Sequence, residues 1–546
     1  MRHPAPRGFE SLEPRLAMAG LVTFADVDGD TVTVRTNRGT DAQLGAALTL
    51  APTGTLGGYQ LRQVALGGPV FAGTNLTITA RPSAIGGDGQ VDVGEIVTAL
   101  DLGRVTVAGD LGRIIAGNAN LATPGVAALT VVSIGQRGTV TGAPNFETVV
   151  IGPVPTIRVA GNLVARFAVG GRAADVVIGG SIAGVLENDG FEAGSIGRMI
   201  VGGNVFGGSA NGSGRVYAYG GGIDRLVIRG DVVGGSGGFS GALGTAGRIG
   251  FARIGGSLLG GGNTGSGSVF TGSAGINRLV VGGNIVGGSG TSAGGVQAYG
   301  PVGSIAVGGS IQGADGPGSG VVYAAAGLGT IEIGAKLRGG LGAMSGQVVA
   351  TRIGTLRVDR IQAGDGPESG GVRASSLGTV VVRRDILGSS LQPAIISAVG
   401  AATPTGPRAI GSLTVGGSMN NAVVLGGYAA FGLTAVNGAA RIGAVVVRGN
   451  MTGSSIVAGV ENIGAPHPSG LPQFGDGLDV PVAGRRGSRI DSLVVNGLAS
   501  GSADVLSFSG VLANSIGTVR LGGRPYTVTS AGITPTSPNL QFRLIN

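Results

Sequence analysis

The chain has 546 residues, of which 115 are Gly, none is Cys and two are His, and its formal net charge is +8. Without Cys neither a disulfide framework nor a thiolate zinc site can form, and no apolar run reaches the roughly 18 residues that a membrane helix needs. With 42% of residues hydrophobic and 12% charged, the glycine does not belong to a disordered tract. It also lacks the three-residue period of collagen, which leaves a repeat fold with many tight turns.

The positive charge is almost entirely Arg, with Lys336 the one lysine, and it is scattered singly along the chain. No basic run points to nucleic acid, so no nucleic-acid partner is expected. The first twenty residues carry no continuous apolar segment of the kind a standard secretory signal has. Within them, "FESLEPRLAMA", centred on Leu12, Glu13, Pro14 and Arg15, resembles the LEPR-XLL N-terminal motif of large exported or surface proteins of planctomycete-type bacteria. Leu16 is followed by Ala17 and Met18, where that motif continues with two leucines after a variable residue. The stretches Phe24–Val34 and Gly87–Ile114 also resemble segments of Gly-rich planctomycete solenoid proteins. The resemblance implies export to the cell surface or beyond and transfers no catalytic residue. Absence of Cys fits the same location.

Residues 1–20 therefore read as a leader or sorting motif, and residues 21–100 as a β-rich N-terminal cap. Strands are expected there at Thr31–Thr36, Leu61–Ala65, Leu76–Ala80 and Val91–Thr98. Asp26, Asp28 and Asp30 sit at alternate positions, as do calcium ligands in an EF-hand loop. The twelfth residue counted from Asp26 is Asn37, which cannot give a bidentate carboxylate, and Thr31–Val34 reads as strand. A solvated turn is the expectation, with calcium-stabilised folding as a lesser reading. Asp88–Glu95 resembles the second half of such a loop, but its first ligand positions would be Ala84 and Gly86. No metal and no cofactor are expected.

Between residues 101 and 523 one block recurs, apolar-x-x-apolar-x-apolar-x-Gly-polar-apolar. Good copies begin at Ile196, Ile223, Ile249, Ile276, Val302, Leu328, Ile353 and Leu377, spaced 24 to 27 residues apart. Weaker copies begin at Leu102, Val154 and Ala173 before them, and at Ile410, Ile442, Ile490 and Ile516 after them. The fourth and sixth positions, as in Leu226/Ile228, Leu279/Val281 and Leu356/Val358, are apolar while the residue between them varies. Period-2 alternation is a strand with one buried face. A second column reads Val216-Tyr217-Ala218, Val269-Phe270-Thr271, Val296-Gln297-Ala298, Val322-Tyr323-Ala324, Val348-Val349-Ala350 and Val372-Arg373-Ala374. A third holds Val205, Val232, Leu258, Ile285, Ile311 and Leu337. Three short strands per coil of about 26 residues, stacked at about 4.8 Å, make an all-β parallel β-solenoid, expected as a right-handed three-sided β-helix.

The polar residue of each block lines up as Asp110, Asn162, Ser181, Asn204, Asp231, Ser257, Asn284, Ser310, Asp385, Ser418 and Asn450. Asn and Ser mix freely with Asp, so this column reads as a corner that caps backbone N–H groups, not as a stacked ligand row. The outward residues Tyr217, Phe270, Gln297, Tyr323 and Arg373 form a partly aromatic row. Of these, Tyr217, Phe270 and Tyr323 are the candidate contacts for a glycan or a partner chain, because flat rings along a scaffold can stack on sugars.

Catalytic material is sparse. His3 lies in the leader and His467 in an unusual loop, so a Ser–His pair could involve only His467. Polysaccharide cleavage on a β-helix needs carboxylates on neighbouring coils, and the outward strand positions offer Glu332 alone. Gly-rich runs such as "GGSGGFSGALG" precede no helix and lack the lysine of a phosphate loop. The repeat is interrupted at Leu391–Arg408 and more strongly at Glu461–Ser488, where four prolines, Phe474, Asp476 and Asp479 make a loop that is either functional or disordered. Arg524–Asn546 reads as a C-terminal cap or tail. The expected function is a non-catalytic, exported or cell-surface structural or adhesin-like solenoid of bacterial origin. Its partners would be extracellular polysaccharide or cell-envelope components, with no membrane span. The alternative is a carbohydrate-binding or polysaccharide-cleaving β-helix.

Overall fold

The computed structural model describes residues 19–53, 57–84, 86–389, 391–403, 406–430, 433–464, 473–484, 487–502, 508–533 and 539–545. The LEPR-like segment, His3, His467 and parts of the Glu461–Ser488 loop lie outside them. The chain forms two compact units, residues 1–155 and 156–546. No helix is long and apolar enough to cross a membrane among the described residues.

The first unit begins antiparallel. Leu21–Ala25 pairs with Thr31–Thr36, which pairs in turn with Leu76–Arg81, and Leu48–Thr53 pairs with Gly58–Ala65. A single turn-and-a-half helix, Asp41–Ala46, intervenes, closed by a capping box between Thr40 and Gln43. It is too short to leave an apolar period in the sequence. Pairing then turns parallel: Gly58–Ala65 with Val93–Val97, and Leu102–Ala116 with both Val93–Val97 and Val126–Ile134. All four strands expected in this region are present, each within a few residues of its expected ends.

The second unit is the parallel β-solenoid that the repeat predicts. The first residue of each block pairs with the first residue of the next, without a slip, from Ala173 through Ile196, Ile223, Ile249, Ile276, Val302, Leu328, Ile353, Leu377, Ile410, Ile442 and Ile490 to Ile516. Register survives even the long gap between Ile442 and Ile490, because slipping one residue would turn a whole strand's apolar set outward. Leu226, Leu279 and Leu356 are fully buried, as are the ends of the second column and all six residues of the third. Burying each Val, Leu or Ile among them contributes about 1.5–3 kcal/mol.

Two polar columns hold the corners. In the one legible from sequence, the side chains from Asn162 onward accept a hydrogen bond from a backbone N–H of the following coil, while Asp110 instead accepts from Ser133 Oγ and the Gln136 and Arg137 N–H groups. Ser181 N–H donates to Asn162 Oδ1 (2.8 Å), Asn204 N–H to Ser181 Oγ (3.0 Å), Asp231 N–H to Asn204 Oδ1 (2.7 Å) and Ser257 N–H to Asp231 Oδ1 (2.6 Å). The series continues through Asn284 and Ser310, and again from Asp385 through Ser418 to Asn450. The cap therefore serves the neighbouring coil and not its own turn. A second column, unremarked in the sequence, is internal. Ser213, Ser240, Ser266, Ser319, Ser345 and Ser369 are buried, and each hydroxyl accepts from a backbone N–H five residues earlier, as from Gly235 to Ser240 (2.9 Å). The glycine after each serine turns the chain. At Gly267 φ is +60°, and a Cβ there would stand 1.9 Å from the Leu259 carbonyl oxygen.

The turn before those serines, and before Asp189 and Ala293 at the same place in their coils, holds positive φ without always using glycine. Asn188, Phe239, Ser292, Met344 and Glu368 lie between +54° and +59° except Phe239 at +51°, and in the coils between them the same place is taken by Gly212, Gly265 and Gly318. A left-handed non-glycine residue costs about 1–2 kcal/mol. These side chains border the outward face of the second column, which is where the candidate residues lie.

Candidate functional site

The second column runs as one outward row through Glu192, Tyr217, Gly244, Phe270, Gln297, Tyr323, Val349 and Arg373, in register from coil to coil. The three candidate aromatics are all half-buried, and they divide into two groups. Gly244 separates Tyr217 from Phe270, and a Cβ there would stand 2.2 Å from the Phe270 ring. The missing side chain lets Phe270 lie across that coil and reach Tyr217, with ring centroids 5.8 Å apart. Phe239 meets Phe270 edge-on at 5.6 Å. Arg215 sits 5.1 Å over the Tyr217 ring while donating from Nε to Glu192 (3.0 Å). Tyr323 stands apart, edge-on to Tyr299 at 6.3 Å.

Beside Tyr323 opens a cleft of about 190 Å³, lined by Ser292, Gln297, Tyr323, Met344, Gln347 and Val349. Most of its lining is apolar; Gln297 is half-buried, while Gln347 is buried and donates its amide to the Glu368 carbonyl. A larger cleft, about 310 Å³, lies at another corner, where Gln312, Arg338 and Gln362 stack in register with Asp315 and Asp365 alongside. These two carboxylates fall in loops, outside the strand positions surveyed in the sequence, and only the stacking of coils brings them to one cleft. Glu332, the acidic residue that the strand positions did offer, pairs with Arg383 at 2.9 Å on the surface.

Arg373 does not face outward to solvent as its place in the row implies. It is fully buried, pairs with Glu368 at 2.8 Å and donates to the Ala430 carbonyl at 3.3 Å. Burial pulls its pKa below the usual guanidinium range, and Glu368 opposes that pull. The cause is an excursion of the chain after Gly426 that covers the row here. Further along, the outward residues Leu425, Val457 and Leu512 are buried too, in a second apolar core that lies outside the coils and contains Ile395, Tyr428, Leu433, Val460, Phe474 and Ile545. Tyr428 and Phe474 meet edge-on at 6.2 Å, and the Tyr428 hydroxyl donates to the Val460 carbonyl at 2.6 Å.

The described part of the Glu461–Ser488 loop is thus ordered by packing. Val460–Asn462 pairs antiparallel with Asp479–Pro481, and Gly475 N–H donates to Asp479 Oδ2 (2.9 Å). Burial pushes the Asp479 carboxyl up to about 6, against the Gly475 and Asn462 hydrogen bonds that favour its charged form. The loop settles on Leu425, Val457 and Leu512, several coils beyond Tyr323. The break at Leu391–Arg408 contains a regular strand, Ala394–Ala398, that continues the second column.

In the first unit, Asp26, Asp28 and Asp30 converge, with one carboxylate oxygen of each within 4.8 Å of the others. Only Asp28 is exposed, so the turn is not the solvated one expected. The segment Gly86–Gly89 closes over it: Asp88 N–H donates to Asp28 Oδ2 (3.2 Å) and Gly89 N–H to Asp30 Oδ2 (2.7 Å). Burial and the neighbouring Asp28 carboxyl push Asp26 up to about 7. Asp88 and Asp92 line the same cleft; Asp88 Oδ1 accepts from the Gln90 N–H (2.8 Å), and Asp92 pairs with Arg137 at 3.2 Å. Comparison of the chain with family models, with curated proteins and with solved structures returns no significant match.

Proposed function

We propose that the chain is a non-catalytic structural solenoid of the bacterial cell surface or exterior, adhesin-like in presenting folded excursions on a stiff scaffold. One observation carries the reading: the repeated polar side chains are spent on backbone amides, those of the corner column on the next coil and those of the serine column within their own turn. A stack whose strand N–H and C=O groups are paired between coils, with its corners tied as well, resists local opening and hence cleavage. The LEPR-like segment and the Cys-free composition support export. The test is incubation of the full chain with proteinase K, followed by mass spectrometry. The expected result is a fragment spanning the coils from Ile196 to Leu377 that outlasts the rest; cleavage within those strands would overturn the reading. Release of reducing ends from a panel of acidic and neutral polysaccharides would overturn the non-catalytic part.

The cleft beside Tyr323 supports a second reading, a binding module for extracellular polysaccharide. A mostly apolar lining beside the Tyr323 ring, with the Gln297 amide in reach, suits a sugar ring. Retention on a glycan array that is lost with Tyr323→Ala, and kept with Tyr217→Ala, is the outcome this reading requires.

A further inference from the structure

We propose that Asp26, Asp28 and Asp30 form a binding site for a divalent, oxygen-seeking cation of the calcium class, which staples the first hairpin of the chain to the segment Gly86–Gly89. Three carboxylates converge on one point, their oxygens no more than 4.8 Å apart. Oxygen ligands of one divalent cation lie within about 5 Å of one another, so the three can share an ion of this kind.

A second observation points the same way. Asp30 is fully buried, and while its Oδ2 accepts from Gly89, its Oδ1 has no hydrogen-bond donor. A carboxylate held out of water with an unpaired oxygen calls for a positive charge. Among the described residues no basic side chain pairs with any of the three; of Arg62 and Arg137, which line the adjoining cleft, Arg137 is engaged by Asp92. Gly87 makes room for the arrangement, since a Cβ there would stand 1.6 Å from Asp30 Oδ1. The exposed Asp28 gives the ion its route in, at the edge of a cleft of about 450 Å³ that also contains Tyr59. With only oxygen donors, the site suits a hard cation and offers nothing to a thiophilic one.

Tyr59 supplies the readout, because the chain has no Trp and terbium bound in that cleft takes its excitation from the nearest tyrosine. The full chain is titrated with terbium under tyrosine excitation, then with calcium as competitor, and its thermal midpoint is measured with calcium and with EGTA. The expected result is saturable emission that calcium displaces and that Tyr59→Phe largely removes, together with a higher midpoint in calcium than in EGTA. Asp28→Asn, at the exposed position, weakens calcium binding by about tenfold or more while the circular-dichroism spectrum stays unchanged. Asp30→Asn weakens it as well. Absence of saturable emission from the unaltered chain, emission that calcium cannot displace, or calcium affinity unchanged in both variants overturns the site.

Discussion

The coils from Ile196 to Leu377 and those from Ile410 to Ile516 share one interior and differ on one face. In the first group the outward row of the second column is half-open at Tyr217, Phe270, Gln297 and Tyr323, with the three aromatic rings packed against neighbouring side chains. In the second group the same row carries Leu425, Val457 and Leu512, which pack with Tyr428 and Phe474 as a core of their own. The inner face of a solenoid is dictated by stacking and leaves little choice. The outer face is where individual coils diverge, and a few apolar residues there suffice to fold a long excursion down onto the sheet.

The sharpest way to break the comparison is to remove matched side chains from the two cores. Leu279→Ala, in the shared interior, should cost about 2–5 kcal/mol and lower the unfolding transition of the whole coil array in chemical denaturation. Leu425→Ala, on the outer face, should leave that transition nearly in place. It should instead expose the excursion, read as faster hydrogen exchange at Val460–Asn462. If both variants shifted the global transition equally, the outer core would be part of the same cooperative unit.

Next in size is the corner column. Asn284→Ala removes the acceptor for the Ser310 N–H, now 2.8 Å away, and leaves that donor unpaired. The expected loss is about 1–3 kcal/mol, with Asn284→Ser, the residue that neighbouring coils use, recovering most of it.

A smaller effect separates the two regions by pH. Asp479 has its folded pKa raised from 3.8 to about 6 by burial, with Asp476 adding to the rise and Arg543 opposing it. The folded excursion therefore takes up a proton before the unfolded one does, and its stability increases as pH falls from 7 through 6 toward 4. Protection factors at Val460–Asn462, corrected for intrinsic exchange, should be several-fold higher at pH 5 than at pH 7, and Asp479→Asn should flatten that dependence. Coils around Leu279 should show no such trend.

Smallest is Gly244→Ala. Its Cβ must push the Phe270 ring off the coil, so the contact with Tyr217 is lost at a cost of about 0.5–1.5 kcal/mol. Tyrosine fluorescence should change while the coil array keeps its transition.

Most of the fold was legible because the repeat states its own register. Once Leu226, Leu279 and Leu356 fall in one column, their burial follows from alternation alone. The outer face was not legible for the same reason: the residues that cover it come from segments with no period. Nothing around Tyr428 or Phe474 says that they will meet, and Arg373 looks like any outward residue of its column until Glu368 and Ala430 close over it. Gly244 interrupts the aromatic row in a way that reads as a weak position, although it is what lets Phe270 reach Tyr217. Phe239 and Met344 gave no sign of positive φ, because only glycine advertises that conformation. At the acidic turn the three aspartates were visible, but their burial depends on Gly86–Gly89, some 60 residues further on, and no local pattern links the two.

The corner column also gives the stack a direction. Asn162, Ser181, Asn204 and Asp231 each offer an oxygen forward to a later coil's amide. A nascent chain appearing amino end first would find every acceptor already in position when the next turn arrived. Growth from the other end would have to lay down each turn's amide before its acceptor existed, so the wall is easier to build in the order in which it is made.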